Sequence, residues 1–141
     1  MNFTYTDYTP FLQLNNRKVY KKGTQLQNKF NLHDFTKNSS INTTTMIINR
    51  TILGTHRFKK IKLMEDYLFK CQLMRGRNIA EKLNENLAYY RILNQSRASQ
   101  RLKNIFWLWY INKNYNKFGF VKNLMSLISI SINSIKKYGF K

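Results

Sequence analysis

An all-α fold is predicted by three features of the sequence. The only proline is Pro10, good helix formers such as Leu, Lys, Glu and Arg are frequent from about residue 63 onward, and apolar residues recur there at three- and four-residue spacing. We therefore expect an irregular basic N-terminal arm over residues 1–55, a long basic helical segment over residues 56–105 and a small helical domain over residues 106–141.

The N-terminal arm is expected to be irregular because of its composition. It contains the proline and is dense in Thr, Asn and Ser, whose side chains bond to nearby backbone and compete with regular pairing. Only residues 45–48, which include two consecutive isoleucines, suggest a short strand. A basic segment of this kind is expected to become ordered along a polyanion.

The long helix is predicted from the spacing of apolar residues. Ile79, Leu83 and Leu87 recur every four residues and so fall on one face of a helix. We predict one long helix, or two end to end, over residues 63–113, with Gly76 as a candidate kink.

A second amphipathic helix is predicted after a break at residues 113–119. Leu124, Leu127 and Ile135 lie on one helical face. The alternation of Ile and Ser over residues 128–132 would suit a strand equally well, but the two leucines extend the helical period upstream. A helix is therefore preferred.

The charge balance indicates a polyanionic partner. Lys and Arg number 25 against 6 Asp and Glu, which gives a net charge of +19, and residues 86–141 contain ten basic residues and no acidic one. So large a charge on a short chain opposes compact folding unless a polyanion neutralises it. A solvated charged surface is the alternative, but such surfaces usually mix acids with bases. The pattern therefore favours RNA.

The sequence has no pattern typical of an enzyme or a metal site. The six acids are scattered without catalytic partners, the five glycines form no phosphate-binding loop, and Cys71 is the single cysteine. His33 and His56 lie far apart without ligand-type spacing around them. We therefore expect no enzyme activity, no catalytic residue, no metal or other cofactor, and no small-molecule substrate.

Basic residues are the candidate RNA contacts. Arginine binds phosphate in a planar bidentate geometry, and phosphate contacts need no base specificity. The two arginines that flank Gly76 allow backbone to approach RNA closely between them. The basic candidates are Arg57, Lys59, Lys60, Lys62, Arg75, Arg77, Arg91, Arg97, Arg101, Lys103 and Lys113.

The run FWLWYI at residues 106–111 combines aromatic and aliphatic side chains. Such a run suits a hydrophobic core, a base-stacking platform or an anchor at a membrane interface. Because an aromatic stripe at helical spacing is most often part of a core, the core interpretation is preferred.

Residues 101–119 resemble the signature of the bacterial-type ribosomal large-subunit protein twenty family, which includes mitochondrial forms. Arg101, Trp107, Ile111 and Gly119, together with Asn112, stand at the family's positions without a gap.

Upstream, residues 59–61, 74–78 and 90–91 are similar to the family's basic helix entry, its Gly/Arg-rich turn and a later Tyr-Arg pair. The sequence departs from the family at Tyr110, where the family has Arg, and residues 1–55 match nothing in it.

The resemblance implies a structural protein that binds ribosomal RNA in a large subunit, with neighbouring large-subunit proteins as partners. A membrane is not an expected partner, because the sequence has no window of 18 or more apolar residues. The resemblance also implies that Trp107 packs inside the C-terminal domain beside Ile111. Asn112 would then bind backbone or RNA through its amide, and Gly119 would take a positive φ.

The location expected is a mitochondrion, with an organelle-encoded gene, although an A/T-rich nuclear gene would fit the composition equally well. Asn, Lys, Ile, Tyr and Phe, which use A/T-rich codons, make up 67 of the 141 residues. The first positive charge is Arg17, so the N-terminus does not look like a presequence. An accessory subunit of an organellar membrane complex is the alternative function.

Overall fold

The computed structural model describes residues 2–15, 17–93 and 100–138. It is a mixed α/β structure, so the expectation of an all-α protein is wrong. In chain order the elements are β1 (Phe3–Leu14), β2 (Arg17–Tyr20), β3 (Lys29–Phe30), α1 (Leu32–Lys37), a 3-10 turn (Thr43–Thr45), β4 (Ile47–Ile48), α2 (Arg50–Leu53), α3 (Glu65–Arg75), β5 (Ala80–Ile92), α4 (Arg101–Asn114) and α5 (Phe120–Tyr138).

Strands β1 and β5 form the centre of the sheet. The strand order is β2-β1-β5-β3, and β4 also pairs with β1. Strands β1 and β5 run parallel, from Thr4 opposite Glu81 to Leu12 opposite Ile92, whereas the other pairs are antiparallel. The β1–β5 register shifts on both sides of Asp7, which therefore lies at a bulge.

The N-terminal arm is not irregular, because its aromatic residues supply much of the sheet and core. In β1, Phe3, Tyr5 and Tyr8 are buried, and aromatic and Thr residues suit a half-buried pleated strand. Tertiary burial thus outweighs the local preferences of Thr and Asn. The short strand predicted within residues 45–48 is confirmed as β4.

The long helix predicted over residues 63–113 is wrong, because a strand interrupts it. Helix α3 ends at Arg75 and β5 follows as a strand of 13 residues. From Leu87 onward, exposed residues of β5 alternate with partly buried ones, which is the two-residue period of a strand. Pairing with β1 over nine positions outweighs the helix propensity of this segment.

One hydrophobic core joins residues from Phe3 to Ile111. Its centre is a chain of aromatic contacts in which Tyr5 meets Phe30, Phe30 meets Phe35, and Phe35 stacks on Tyr67, with ring centroids 5.7, 6.3 and 5.4 Å apart. The core therefore connects β1, β3, α1 and α3.

The second amphipathic helix is confirmed as α5, but the details implied by the family resemblance are wrong. Trp107 is only partly buried and packs edge-on against Phe106 and Tyr110, whereas Ile111 is fully buried. Gly119 lies outside the left-handed region, and Lys117 takes a φ of 57° instead.

Among the described residues, no helix is both long enough and apolar enough to cross a membrane.

Candidate active site

A cavity of about 320 Å³ lies at the N-terminal end of α3. Its wall combines two adjacent carboxylates with an aromatic and aliphatic surface. The residues that line it are Phe35, Ser39, Leu63, Met64, Glu65, Asp66, Tyr67, Lys70 and Asn104.

The start of α3 places both carboxylates in the first helical turn. Met64 caps the helix with a left-handed φ of 63° and without a side-chain hydrogen bond to the first turn. A left-handed non-glycine residue is uncommon and costs roughly 1–3 kcal/mol, and such residues cluster at functional sites. Glu65 and Asp66 follow, where the positive end of the helix dipole stabilises negative charge.

Asp66 is held by a buried lysine one helical turn further on. Lys70 Nζ lies 2.9 Å from Asp66 Oδ2 and also donates to the Ile41 carbonyl at 2.8 Å. Thr43 Oγ1 donates to the same Asp66 oxygen at 3.1 Å. The Lys70 side chain is 3% exposed and that of Asp66 is 45% exposed. The ion pair thus presents its carboxylate to the cavity and keeps its ammonium inside the protein.

These contacts keep Asp66 ionised. Burial acts to raise the pKa of the Asp66 carboxyl, but the Lys70 charge and hydrogen bonds from Lys70, Thr43 and the Tyr67 backbone together outweigh it, so that the pKa is lowered. Burial lowers the pKa of Lys70, and the Asp66 charge opposes this. At neutral pH the cavity therefore contains a carboxylate anion.

A buried hydrogen-bond network connects α3 to the helices packed against it. The Tyr67 hydroxyl donates to Asn112 Oδ1 at 2.8 Å, and Asn112 Nδ2 donates to Ser126 Oγ at 3.0 Å. Ser126 Oγ in turn donates to the Thr36 carbonyl. Burial raises the pKa of Tyr67 well above its ordinary value, so the phenol stays protonated. The network joins α1, α3, α4 and α5 and fixes the helix that carries Asp66.

A second ion pair lies at the bulge of β1. Lys82 Nζ is 3.0 Å from Asp7 Oδ2, and Asp7 Oδ1 accepts from the Leu26 backbone N–H at 2.7 Å. Because both of these carboxylate oxygens are occupied within the fold, Asp7 holds the loop between β2 and β3 against the sheet.

A larger cavity of about 500 Å³ is lined in part by Lys21, Lys22 and Lys136. Among the described residues, no three His, Cys, Asp or Glu side chains are placed so that they could hold a metal ion.

The residues predicted to bind RNA lie on several elements rather than along one helix. Arg57, Lys59, Lys60 and Lys62 are in the segment between α2 and α3, where Arg57 binds the carbonyls of residues 54 and 56. Lys59 Nζ lies over the Tyr115 ring at 5.1 Å.

The remaining predicted contacts are dispersed. Arg75 and Arg77 lie at the end of α3, Arg91 on β5, and Lys103 and Lys113 on α4. Arg101 begins α4, and Arg97 lies outside the described residues.

Asn112, also predicted as an RNA contact, is fully buried. Its amide is used inside the core, where Oδ1 accepts from Tyr67 and Asn116 and Nδ2 donates to Ser126. The expectation that it binds RNA is wrong for a physical reason, since its polar atoms are occupied by protein partners away from the surface.

The sequence analysis missed the group formed by Asp66, Lys70 and Thr43. Two signals were present: an acidic pair directly before a helix-forming stretch, and a lysine four residues after the second acid, which is the spacing of an ion pair on one helix face. Thr43 could not be found from spacing, because it reaches Asp66 across 23 residues of sequence.

Comparison with known proteins finds a similarity to a glycosyltransferase. The chain is 27% identical over 104 residues to TuaG of Bacillus subtilis (strain 168), which carries the name of a teichuronic acid biosynthesis glycosyltransferase. The match covers 74% of this chain and 41% of TuaG, so the chain spans less than half the length of that relative. No family model and no solved structure matches the chain.

These findings correct the interpretation drawn from the sequence. The similarity is to a glycosyltransferase and the fold contains a five-stranded sheet, so the assignment to ribosomal protein twenty and to a large ribosomal subunit is wrong. The expected partners, ribosomal RNA and large-subunit proteins, lose their basis, as does the alternative of an accessory membrane-complex subunit. The expectations of no enzyme and no small-molecule substrate conflict with the similarity to an enzyme.

Proposed function

We propose that this chain catalyses glycosyl transfer and that Asp66 activates the acceptor hydroxyl. The similarity to TuaG supplies the reaction class, and a sugar nucleotide is the donor that this class implies. The structural observation that carries the proposal is the ionised Asp66 in the wall of the cavity at the start of α3.

The reaction requires a group that accepts a proton. An acceptor hydroxyl attacks the anomeric carbon of the donor, a C–O bond forms, the bond from that carbon to the leaving phosphate breaks, and the hydroxyl proton must go to a base. Carboxylates perform this role at glycosidic centres, whose transition states are oxocarbenium-like. Asp66 is the base in this proposal, and its carboxylate takes up the proton.

Lys70 and Thr43 are positioning residues in this scheme. Their hydrogen bonds both end on Asp66 Oδ2 and fix the orientation of the carboxylate. A lowered pKa makes Asp66 a weak base, but the attacking hydroxyl becomes acidic as the bond to the anomeric carbon forms. The site therefore keeps its base ionised at neutral pH, ready to receive the proton late in the reaction.

A nucleotide-release assay tests the proposal. The protein is incubated with UDP-glucose, UDP-N-acetylglucosamine and UDP-glucuronic acid in turn, with a panel of hydroxyl acceptors, and release of UDP is followed. We expect release above the protein-free rate with at least one donor. Asp66→Asn should lower kcat about 10²- to 10⁴-fold and change the donor KM little.

The matched control is Glu85→Gln, which neutralises an exposed carboxylate on β5 outside the cavity and should keep the wild-type rate. Two results contradict the proposal: no UDP release above background with any donor, or an Asp66→Asn variant as active as the wild type.

A further inference from the structure

Helix α5 packs with its polar side inward. Asn123 and Ser126 are almost completely buried, although both are polar. Asn123 Nδ2 donates to the Trp109 carbonyl at 3.1 Å, and Asn133 Nδ2 donates to the Lys37 carbonyl at 3.1 Å. Residues 123, 126 and 133 lie on one helical face, which contacts α1 and α4. Leu127 and Ile130 lie on the same side and are partly buried against the core.

Most apolar residues of α5 consequently face outward. Val121 is 67% exposed, Met125 is 60% exposed and Ile128 is 51% exposed. Apolar residues of an amphipathic helix usually pack into the core, so this orientation is the reverse of the common one.

The exposed surface continues from α5 onto α4. The ring of Phe120 packs edge-on against Trp109, with centroids 5.4 Å apart, and Phe106 and Leu102 extend the surface along α4. We call this surface the outer face. It consists of Leu102, Phe106, Phe120, Val121, Leu124, Met125, Ile128 and Ile132.

Hydrogen bonds prevent α5 from turning its apolar side inward. Rotation about the helix axis would remove Ser126 from Asn112 and Thr36, Asn123 from Trp109, and Asn133 from Lys37. Buried polar groups without partners cost about 1–3 kcal/mol each. The fold therefore holds the outer face in contact with whatever surrounds the protein, and a contiguous exposed apolar surface marks an interaction site.

The charges around the outer face identify its partner. Lys122 and Lys136 are exposed and, by helical spacing, border the apolar stripe of α5, while Lys113 and Lys117 are exposed at the α4–α5 turn. Residues 86–141 contain no acid that could oppose them. A second copy of this chain would bring like charges together, which repel. An anionic lipid surface satisfies both the apolar stripe and the lysines.

We propose that the outer face docks onto an anionic lipid bilayer, with α5 lying in the plane of the headgroups. Val121, Met125, Ile128 and Ile132 enter the acyl boundary, and the lysines contact lipid phosphates. This binding involves no residue of the Asp66 cavity, so its test is independent of the test of the proposed glycosyl transfer.

Vesicle flotation with the full chain tests the proposal. Binding is compared between phosphatidylcholine vesicles and vesicles in which about a third of the lipid is phosphatidylglycerol. We expect binding to the anionic vesicles and much weaker binding to the neutral ones. The triple variant V121Q/M125Q/I132Q removes apolar area from the outer face without changing the charge of +19, and it should bind at least about tenfold more weakly.

The matched control is V19Q/I47Q/L87Q, which makes the same chemical change at exposed apolar positions of the sheet. This control should bind within about twofold of the wild type, and K122Q/K136Q should bind several-fold more weakly to the anionic vesicles. Circular dichroism confirms that each variant is folded.

Three results overturn the proposal. The first is no binding to anionic vesicles. The second is equal binding by both triple variants, because charge alone then explains the attraction. The third is self-association of the wild type in sedimentation that only V121Q/M125Q/I132Q loses, because the outer face then joins two copies of the chain.

Discussion

Helices α3 and α5 both pack against the core but direct opposite surfaces inward. Helix α3 buries Leu68 and its neighbours, and its buried charge, Lys70, is paired with Asp66. Helix α5 buries Asn123 and Ser126 and leaves most of its apolar residues outside, while Leu127 and Ile130 pack against the core. Apolar burial orients α3, whereas hydrogen bonds of buried polar side chains contribute much of what orients α5. An amphipathic pattern therefore shows that a helix has two faces without showing which one is inside.

The largest difference in unfolding free energy is expected between two Leu→Ala variants, one in each helix. Leu68→Ala removes a fully buried side chain of α3 and should lower the free energy of unfolding by about 2–5 kcal/mol. Leu124→Ala makes the same change on the exposed side of α5 and should change it by less than about 0.5 kcal/mol. Urea denaturation measures both values. Equal losses would show that α5 buries its apolar side.

The polar network that orients α5 is tested at Asn112. Asn112→Ala removes the acceptor of the buried Tyr67 hydroxyl and a hydrogen bond of Ser126, which keeps its bond to the Thr36 carbonyl, and should cost about 2–4 kcal/mol of unfolding free energy. The control, Asn114→Ala, removes an exposed amide of the same helix and should cost less than about 0.5 kcal/mol. If Asn112→Ala is as stable as its control, hydrogen bonds do not fix the inward side of α5.

The Cys71 thiol of α3 should react very slowly with thiol reagents in the folded protein. Burial raises the pKa of Cys71 to about 11. At pH 8 the thiolate fraction is then roughly 0.1%, against about a quarter for an ordinary cysteine, a difference of about 200-fold before steric exclusion is counted. Labelling with Ellman's reagent should be slow until urea unfolds the protein. Immediate labelling at pH 8 without denaturant would contradict the burial of this side of α3.

The Asp66–Lys70 pair predicts how acid affects stability. Because the pKa of Asp66 is lowered in the folded protein, its stabilising contribution is present above the unfolded pKa of about 3.9 and is lost as the pH falls through the folded value. Asp66→Asn should therefore be less stable than the wild type at pH 7, and the difference should shrink below about pH 4.

Thermal melts across pH 2–8 measure this change, with Glu85→Gln as the exposed control. A constant difference between wild type and Asp66→Asn throughout this range would contradict the ion pair.

The smallest expected effect concerns the turn that orients α5. Lys117 is exposed and has a left-handed φ of 57°, so Lys117→Gly should raise the free energy of unfolding by up to about 1 kcal/mol. Gly119 has an ordinary φ, and a Cβ there meets no atom within 4 Å, so Gly119→Ala should be tolerated. Thermal melts distinguish this assignment from the reverse one, in which Gly119 takes the left-handed conformation.

Local patterns in the sequence predicted some elements and not others. The helix period from Leu124 to Ile135 correctly located α5, and the isoleucine pair located β4. Strand β5 could not be predicted in this way, because its helix-forming residues become a strand only by pairing with β1 from a distant part of the chain. The same reason explains β1, whose Thr-rich sequence looked irregular until Tyr5 and Tyr8 had a core to enter.

Of the contacts in the candidate site, only the one between residues close in sequence could be predicted. Asp66 and Lys70 stand four residues apart, a spacing that suits an ion pair on a helix, but the excess of basic residues over acidic ones favours an RNA-binding interpretation instead. The contact with Thr43 depends on how the turn at residues 43–45 packs against α3. The location in a mitochondrion stays a prediction.

Solvent paramagnetic relaxation of isoleucine methyl groups measures directly whether α5 holds most of its apolar residues outward. A soluble gadolinium chelate is added to protein labelled at the isoleucine δ1 methyls. We predict strong relaxation at Ile128 and Ile132 and weak relaxation at Ile41 and Ile111, which are buried. If Ile128 and Ile132 are as protected as Ile41, α5 buries these residues and the outer face does not exist.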